Sequence, residues 1–305
     1  MYPMDFEEFC IANSVQPEIF DYLKGCYDKQ IEVRQVVHET MLNLFGVYLI
    51  VGGMPDVVRT FVERRVVALQ RDIVSQYRQD IIKYAQKATN KITKIFDEIP
   101  SQLDDKNRRF QLASIDKNAR LRQYEDAFVW LQDAGVALPC FNLSEPKPPL
   151  KINGQSRLFK LYLNDVGLLC AMETENIQFE ILRGNLSVNF GGVMENVFAQ
   201  QLKSYGFSLR YLNKRNVGEV DFVLQQNADV VLVEIKSGDE YKRHLALNNT
   251  MKVKKWGINK AIVFCRGNVE KDKDILYLLW YMIMFLKQDT IIDTKINLDL
   301  SGLKI

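Results

Sequence analysis

The chain has little from which to build a metal centre of nitrogen or sulfur. Its 305 residues include two histidines, His38 and His244, too few for a multi-histidine site. The five cysteines (Cys10, Cys26, Cys140, Cys170 and Cys265) are odd in number, scattered, and form no CxxC pair. They read as reduced thiols, not as a disulfide or zinc framework. No secretory leader precedes them, so a cytoplasmic protein is expected. No Gly-Lys dipeptide occurs, so the phosphate-cradling GxxxxGK[ST] loop is absent and no ATP site is expected. Charge of one sign is lacking too: 40 Lys and Arg face 38 Asp and Glu, a net +2 that advertises no partner. Long apolar runs are missing. The run at 275–286 (ILYLLWYMIMFL) is short of the about 20 residues a spanning helix needs. It is expected to be a helix packed inside the protein or against a partner, with no role in a membrane.

What is present fits a globular chain, since apolar residues make up 47% and charged residues 26%, and the length of 305 residues suits about two domains or three small ones. The pattern predicts a mixed α/β fold. The first ninety residues read as helices, broken at Gly52-Gly53-Met54-Pro55, where the glycines permit a turn and Pro55 suits a first helical turn. A long basic helix is expected to follow. Positions 59–94 hold nine basic residues against three acidic, and a solvated face is favoured over a phosphate-facing one. From 92 to 172 the pattern is short helices, including one at 119–133, followed by a hairpin at 136–143 and 157–163. Asn164 is the expected cap of the next helix. Helices followed by a two-stranded wing is the plan of a winged-helix domain. The 119–133 helix carries Arg120 and Arg122 but also Glu125, Asp126 and Asp133, a poor balance for base readout.

The last third carries the chemistry. A helix is expected from 192 to 205, with strands at 219–225, 230–236 and 260–265. Side chains alternate along strands, so Glu219 and Asp221 share one face of the first strand, and Glu234 and Lys236 one face of the second. With the turn centred between Asn227 and Ala228, Asp221 lies opposite Glu234, about 5 Å away between Cβ atoms. Two such carboxylates repel unless a hard cation, a salt bridge to Lys236, or solvent relieves them. Oxygen-only ligands favour Mg²⁺ or Mn²⁺. Glu195 falls on the same helical face as Phe198, Ala199 and Leu202, and a glutamate on an apolar face asks for a partner. The segment 203–273 holds 14 basic and 8 acidic residues. Its Lys242, Arg243, Lys252, Lys254 and Lys255 are candidates for neutralising backbone phosphates.

The order Glu195, then GEVD at 218–221, then Glu234-Ile235-Lys236, resembles the PD-(D/E)XK nuclease-like core. Together with YPMDFEEF at 2–9, GGMP at 52–55, FKLYLNDVG at 159–167 and EIKSG at 234–238, it is similar to the C-terminal portion of archaeal-type AAA+ ATPases. The resemblance implies a helical segment over 1–90, a winged-helix-like domain over 91–175, a nuclease-like domain over 176–287 and a tail over 288–305. It implies that Asp221 and Glu234 ligate Mg²⁺ or Mn²⁺, with Glu195 a further ligand or water-positioning group, and that Lys236 orients the attacking water. The ATPase half that precedes this region in the family is missing, so Met1 to Phe9 is expected to be poorly anchored. The implied partners are DNA and a separate ATPase subunit or a second copy of the chain. Two functions stand side by side: a metal-dependent DNA nuclease, and a non-catalytic module that binds DNA or protein for an ATPase. A purely structural charge cluster at Asp221, Glu234 and Lys236 is a third reading.

Overall fold

The computed structural model describes residues 2–61, 66–85, 88–105, 108–172 and 190–288. The fold is mixed α/β, with helices gathered toward the N-terminus and strands toward the C-terminus. Helix α1 (Phe6–Ala12) starts at Asp5, whose side chain accepts the Glu8 N–H while Glu8 accepts that of Asp5, a reciprocal cap that satisfies two otherwise unpaired donors. Phe6 and Phe9 are buried against Phe45 and Tyr48. The expected loose N-terminus is therefore corrected: Met4 N–H donates to Gly53 O at 2.7 Å, and Tyr48 donates its hydroxyl proton to Met4 O at 2.7 Å. Aromatic burial holds this segment.

Helices α2 (Pro17–Lys29) and α3 (Gln35–Val51) follow. Helix α3 ends at Gly52, whose φ of +72° favours glycine. A Cβ on Gly52 would stand 2.3 Å from Asp165 Oδ1, and one on Gly53 would stand 2.1 Å from Met4 O. The glycine pair thus lets the N-terminal segment and Asp165 close on the end of α3. The expected long basic helix is instead three: α4 (Pro55–Thr60), α5 (Val66–Tyr84) and α6 (Thr89–Asp104). Splitting the run lets α5 turn Val74 and Ile81, and α6 turn Ile92, Ile95, Phe96, Ile99 and Leu103, into one core. Of the basic residues counted there, Arg64, Arg65 and Lys87 lie outside the described residues.

The expected helix at 119–133 is shorter, a single 3₁₀ turn followed by α7 (Glu125–Asp133). Strands β1 (Ala137–Leu143) and β2 (Gly154–Leu163) form the expected antiparallel hairpin. The other edge of β1 pairs in parallel with β3 (Arg210–Lys214), which pairs with β4 (Gly218–Val220), giving the order β2-β1-β3-β4. Strands from either side of position 175 therefore share one sheet. Helix α8 (Val166–Met172) is capped one residue later than expected, by Asp165 and not Asn164: Asp165 Oδ1 accepts the Leu168 N–H at 2.9 Å.

Asp165 also accepts the Gly53 N–H at 2.6 Å. Burial pushes its carboxyl up to about 6, against the pull of the backbone N–H groups of Gly53, Leu168 and Gly167. With the folded value above the ordinary 3.8, the native state holds this proton more tightly. The stabilisation is complete at low pH and is lost as pH rises through the folded value, on the order of 3 kcal/mol. In urea titrations, Asp165→Asn is expected to remove this fall between about pH 4 and pH 6. An unchanged pH profile in the variant would show that Asp165 is not its source.

A second sheet, in the order β5-β6-β7-β9-β8, is built from β5 (Phe222–Gln226), β6 (Asp229–Ile235), β7 (Ala261–Cys265), β8 (Glu270–Asp272) and β9 (Ile275–Leu279). The run at 275–286 is thus corrected from helix to strand β9 followed by a 3₁₀ turn over Trp280–Phe285. A short, continuously apolar run is ambiguous by periodicity, and here β9 is enclosed between β7 and β8. Helix α9 (Phe190–Ser204) joins the layers, packing on β1 and β2 and setting the Phe198 ring 4.9 Å from that of Phe264 on β7. Among the described residues no helix is long and apolar enough to cross a membrane.

Candidate acidic site

Strand β4 belongs to the first sheet and β5 to the second, so Asp221, the single residue between them, marks the corner where the chain changes sheets. The β5–β6 register (Phe222 with Val233, Leu224 with Val231, Gln226 with Asp229) is the one the sequence implies, with Asn227 in the left-handed region at the turn. Continued by one residue, it sets Asp221 across from Glu234. Asp221 Oδ2 accepts the Ile235 N–H at 2.8 Å. Glu234 Oε1 pairs with Lys236 Nζ at 2.8 Å, so the salt bridge considered from sequence is made. Glu234 is only 6% exposed, and its Oε2 is buried without a hydrogen-bond partner among the described residues. A carboxylate oxygen buried in this way carries an uncompensated cost unless a proton or a cation meets it.

Glu195 lies on the buried face of α9 and finds its partners in two cations and one hydroxyl from earlier in the chain. Arg108 pairs with Oε1, while Lys160 Nζ at 2.9 Å and the Tyr162 hydroxyl at 2.7 Å donate to Oε2. Lys160 is fully buried on β2 and also pairs with Glu219 Oε1 at 2.6 Å. Its Nζ sits 5.1 Å from the centre of the Tyr211 ring. Asn213 donates to the other Glu219 oxygen at 2.5 Å. Gly191 and Gly192 make this possible: a Cβ would stand 2.0 Å from Arg108 Nη2 at the first and 2.6 Å from Leu103 O at the second. Arg108 thereby crosses the first turn of α9 to reach Glu195.

The electrostatics divide the cluster. Burial alone would depress the Lys160 ammonium, but Glu195, Glu219 and Asp221 outweigh it and hold it charged. Burial would raise Glu195, but Lys160 and Arg108 outweigh it and keep that carboxylate ionised. Asp221 goes the other way: burial, then Glu234 and Glu195, push it well above the carboxylate range against Lys160. Burial also raises Glu234, opposed by Lys236. Four carboxyl groups thus meet three cations, and the protons that remain belong to the Asp221–Glu234 pair.

The structure brings Glu195, Asp221, Glu234 and Lys236 into one neighbourhood. Ligand oxygens of Glu195, Glu219 and Asp221 lie within 4.8 Å of one another. Lys160 pairs with two of the three, Glu195 and Glu219, and the carboxylate groups it leaves without an ion pair among the described residues are Asp221 and the Oε2 of Glu234. These fit a hard cation, being all-oxygen and including an unpartnered buried atom. Sequence reasoning missed Arg108, Lys160 and Tyr162, and placed Glu219 on the face of Asp221 without giving it a part in the site. Lys160 was findable: a lysine in the apolar strand FKLYL asks for a partner as Glu195 does.

Most of the basic candidates make ion pairs of their own. Lys242 pairs with Glu270 at 2.8 Å, Arg243 with Glu240 at 2.6 Å, and Lys255 with Glu145, all exposed. Lys252 and Lys254 are exposed and make no ion pair among the described residues. Both lie just past the C-terminal end of α10 (Leu245–Met251), which packs on β4, where a Cβ on Gly218 would stand 2.7 Å from Ala246 Cβ. Exposed pairs of this kind hold weakly.

Comparison with known proteins adds two family matches. Residues 42–178 match a domain of unknown function, DUF8612, and residues 190–281 match a second, DUF4143. No curated protein and no solved structure matches the chain. Arg108, Lys160 and Tyr162 come from the first matched region, and the four carboxylates from the second. That second region is similar to a domain typically found in the C-terminal region of AAA-ATPase-like proteins.

Proposed function

We propose that the chain is a nuclease-like part of an AAA+ ATPase family system, hydrolysing phosphodiester bonds of DNA with Mg²⁺ or Mn²⁺ held by Asp221 and Glu234. The observation that carries this reading is the buried, unpartnered Glu234 Oε2, beside Asp221 and one residue from Lys236 along the strand face. When bound, the divalent ion polarises the phosphate and lowers the pKa of a bound water. Glu234 and Asp221 supply the negative charge that holds it, and the Ile235 N–H fixes the orientation of the Asp221 carboxyl. Lys236, 27% exposed at its side chain, is placed to donate to a phosphate oxygen and to orient the attacking water. Lys252 and Lys254 offer the nucleic-acid backbone unpaired charge close to α10. An ATPase subunit or a second copy of the chain is the proposed protein partner.

A second reading, a non-catalytic DNA- or protein-binding module, is favoured by Lys160, which already compensates two of the four carboxylates. Calorimetric titration of Mg²⁺ and Mn²⁺ into the full chain, with and without DNA, separates the two. Saturable binding that Glu234→Ala abolishes is expected. Because Asp221 and Glu234 are both raised, cation and proton compete, so affinity is expected to strengthen with pH and binding to release protons. No binding under either condition overturns the nuclease reading and leaves the module.

A further inference from the structure

We propose that Lys160 is a built-in cation of the acidic site. Its ammonium fills the position that Glu195, Glu219 and Asp221 would otherwise give to a second divalent ion, so the site takes one exchangeable ion and not two. The assignment of that one ion to Asp221 and Glu234 rests on the function proposed above; the assignment of Lys160 rests on the cluster alone.

Lys160 Nζ lies 2.9 Å from Glu195 Oε2 and 2.6 Å from Glu219 Oε1. Three oxygens within 4.8 Å of one another are a short contraction from an octahedral shell, in which opposite oxygens stand about 4.2 Å apart for metal–oxygen bonds of about 2.1 Å. The ammonium has no way out to water. Lys160 is 0% exposed, with the Tyr211 ring against it and α6 and α9 packed on its strand. A lysine this deeply buried would ordinarily lose its proton, and only the surrounding carboxylates keep it charged.

Charge balance gives the stoichiometry. With all four carboxyls ionised, as they are around a bound divalent ion, Glu195, Glu219, Asp221 and Glu234 face Lys160, Arg108 and Lys236 and leave a single net negative charge. One divalent ion leaves one positive charge, which a substrate phosphate neutralises. A second would leave three uncompensated positive charges in a half-buried cluster, which is unfavourable. Without the lysine the cluster carries one more negative charge and an open oxygen cage, and the second ion fits. Lys160 is thus a positioning residue, fixing Glu195 and Glu219 while Asp221 and Glu234 remain exchangeable.

The test is Mn²⁺ stoichiometry in the full chain, read by calorimetry and by the loss of the free-ion paramagnetic resonance signal. Wild type is expected to bind one ion, Lys160→Met two, and Lys160→Met with Glu219→Gln one again, because the double variant loses a ligand together with the ammonium. Equal stoichiometry in wild type and Lys160→Met overturns the proposal. If Lys160→Met is unfolded in chelator, Mn²⁺ is expected to restore its near-ultraviolet circular dichroism; failure to recover equally overturns it. A wild type that binds no ion beside a Lys160→Met that binds one removes the nuclease reading while supporting the role of Lys160.

Discussion

Lys236→Ala is expected to slow Mn²⁺-dependent DNA cleavage by about 10²–10³-fold, the loss typical when one positioned donor to a charged transition state is removed. Mn²⁺ binding is expected to survive, because the Asp221 and Glu234 oxygens are untouched. The substitution is local. Lys236 keeps its backbone bonds, donating N–H to Phe264 O at 2.8 Å and accepting the Trp280 Nε1–H at 3.0 Å. Its side chain is partly exposed and fills no core position. Glu234→Ala should lose both cleavage and cation binding, since it deletes the buried oxygen that asks for the ion. A plasmid-nicking time course beside calorimetry on the same preparations distinguishes the two variants. Cleavage undiminished in either variant would remove this site from the reaction. Cleavage and cation binding lost together in Lys236→Ala would show that the lysine holds Glu234 in place and has no separate part in the chemistry.

How far the sequence reaches depends on whether a feature is local. The hairpin register follows from a two-residue turn and alternating side chains, and the observed pairing of Leu224 with Val231 agrees with it. The Glu195 stripe was equally legible, because an acid among Phe198, Ala199 and Leu202 on one helical face is costly alone, and all four are buried. The identity of its partners was not. Arg108 and Glu195 are 87 positions apart and Lys160 and Glu195 are 35 apart, and no periodicity encodes such a meeting. The signals were present but indirect: a lysine inside an apolar strand, and a Gly-Gly pair in the first turn of the helix, where close approach needs it. The run at 275–286 failed for a different reason. Twelve apolar residues read alike as a buried helix and as a strand enclosed between neighbours, and the choice is made by β7, which offers it a parallel partner. Asp165 was overlooked as a cap in favour of Asn164, because either residue suits the position and only the approach of Gly53 selects between them.

Glu195→Ala is expected to cost roughly 3–5 kcal/mol of folding stability, the range for removing one partner of a buried ion pair. The loss follows from what stays behind. Lys160 would keep a single carboxylate partner, Glu219, in a place without water, and the Tyr162 hydroxyl would lose its acceptor. Arg108 suffers less, because its side chain is 27% exposed and can turn to solvent. Glu195→Leu combined with Lys160→Met is therefore expected to recover most of the loss, since paired buried charges replaced by apolar groups of similar volume are often nearly neutral. Urea denaturation in the presence of chelator reads the fold alone, free of any cation bound at Asp221 and Glu234. The comparison has a functional consequence, because α9 packs on β1 and β2 and reaches β7 through Phe198. A large single-variant loss with recovery in the double variant identifies the Glu195 network as the joint that fixes the first sheet against the exchangeable carboxylates. A loss under about 1 kcal/mol, the scale of an exposed pair, would mean instead that Lys160 and Arg108 are held there for the ion or the substrate, and that the sheets are joined by apolar packing.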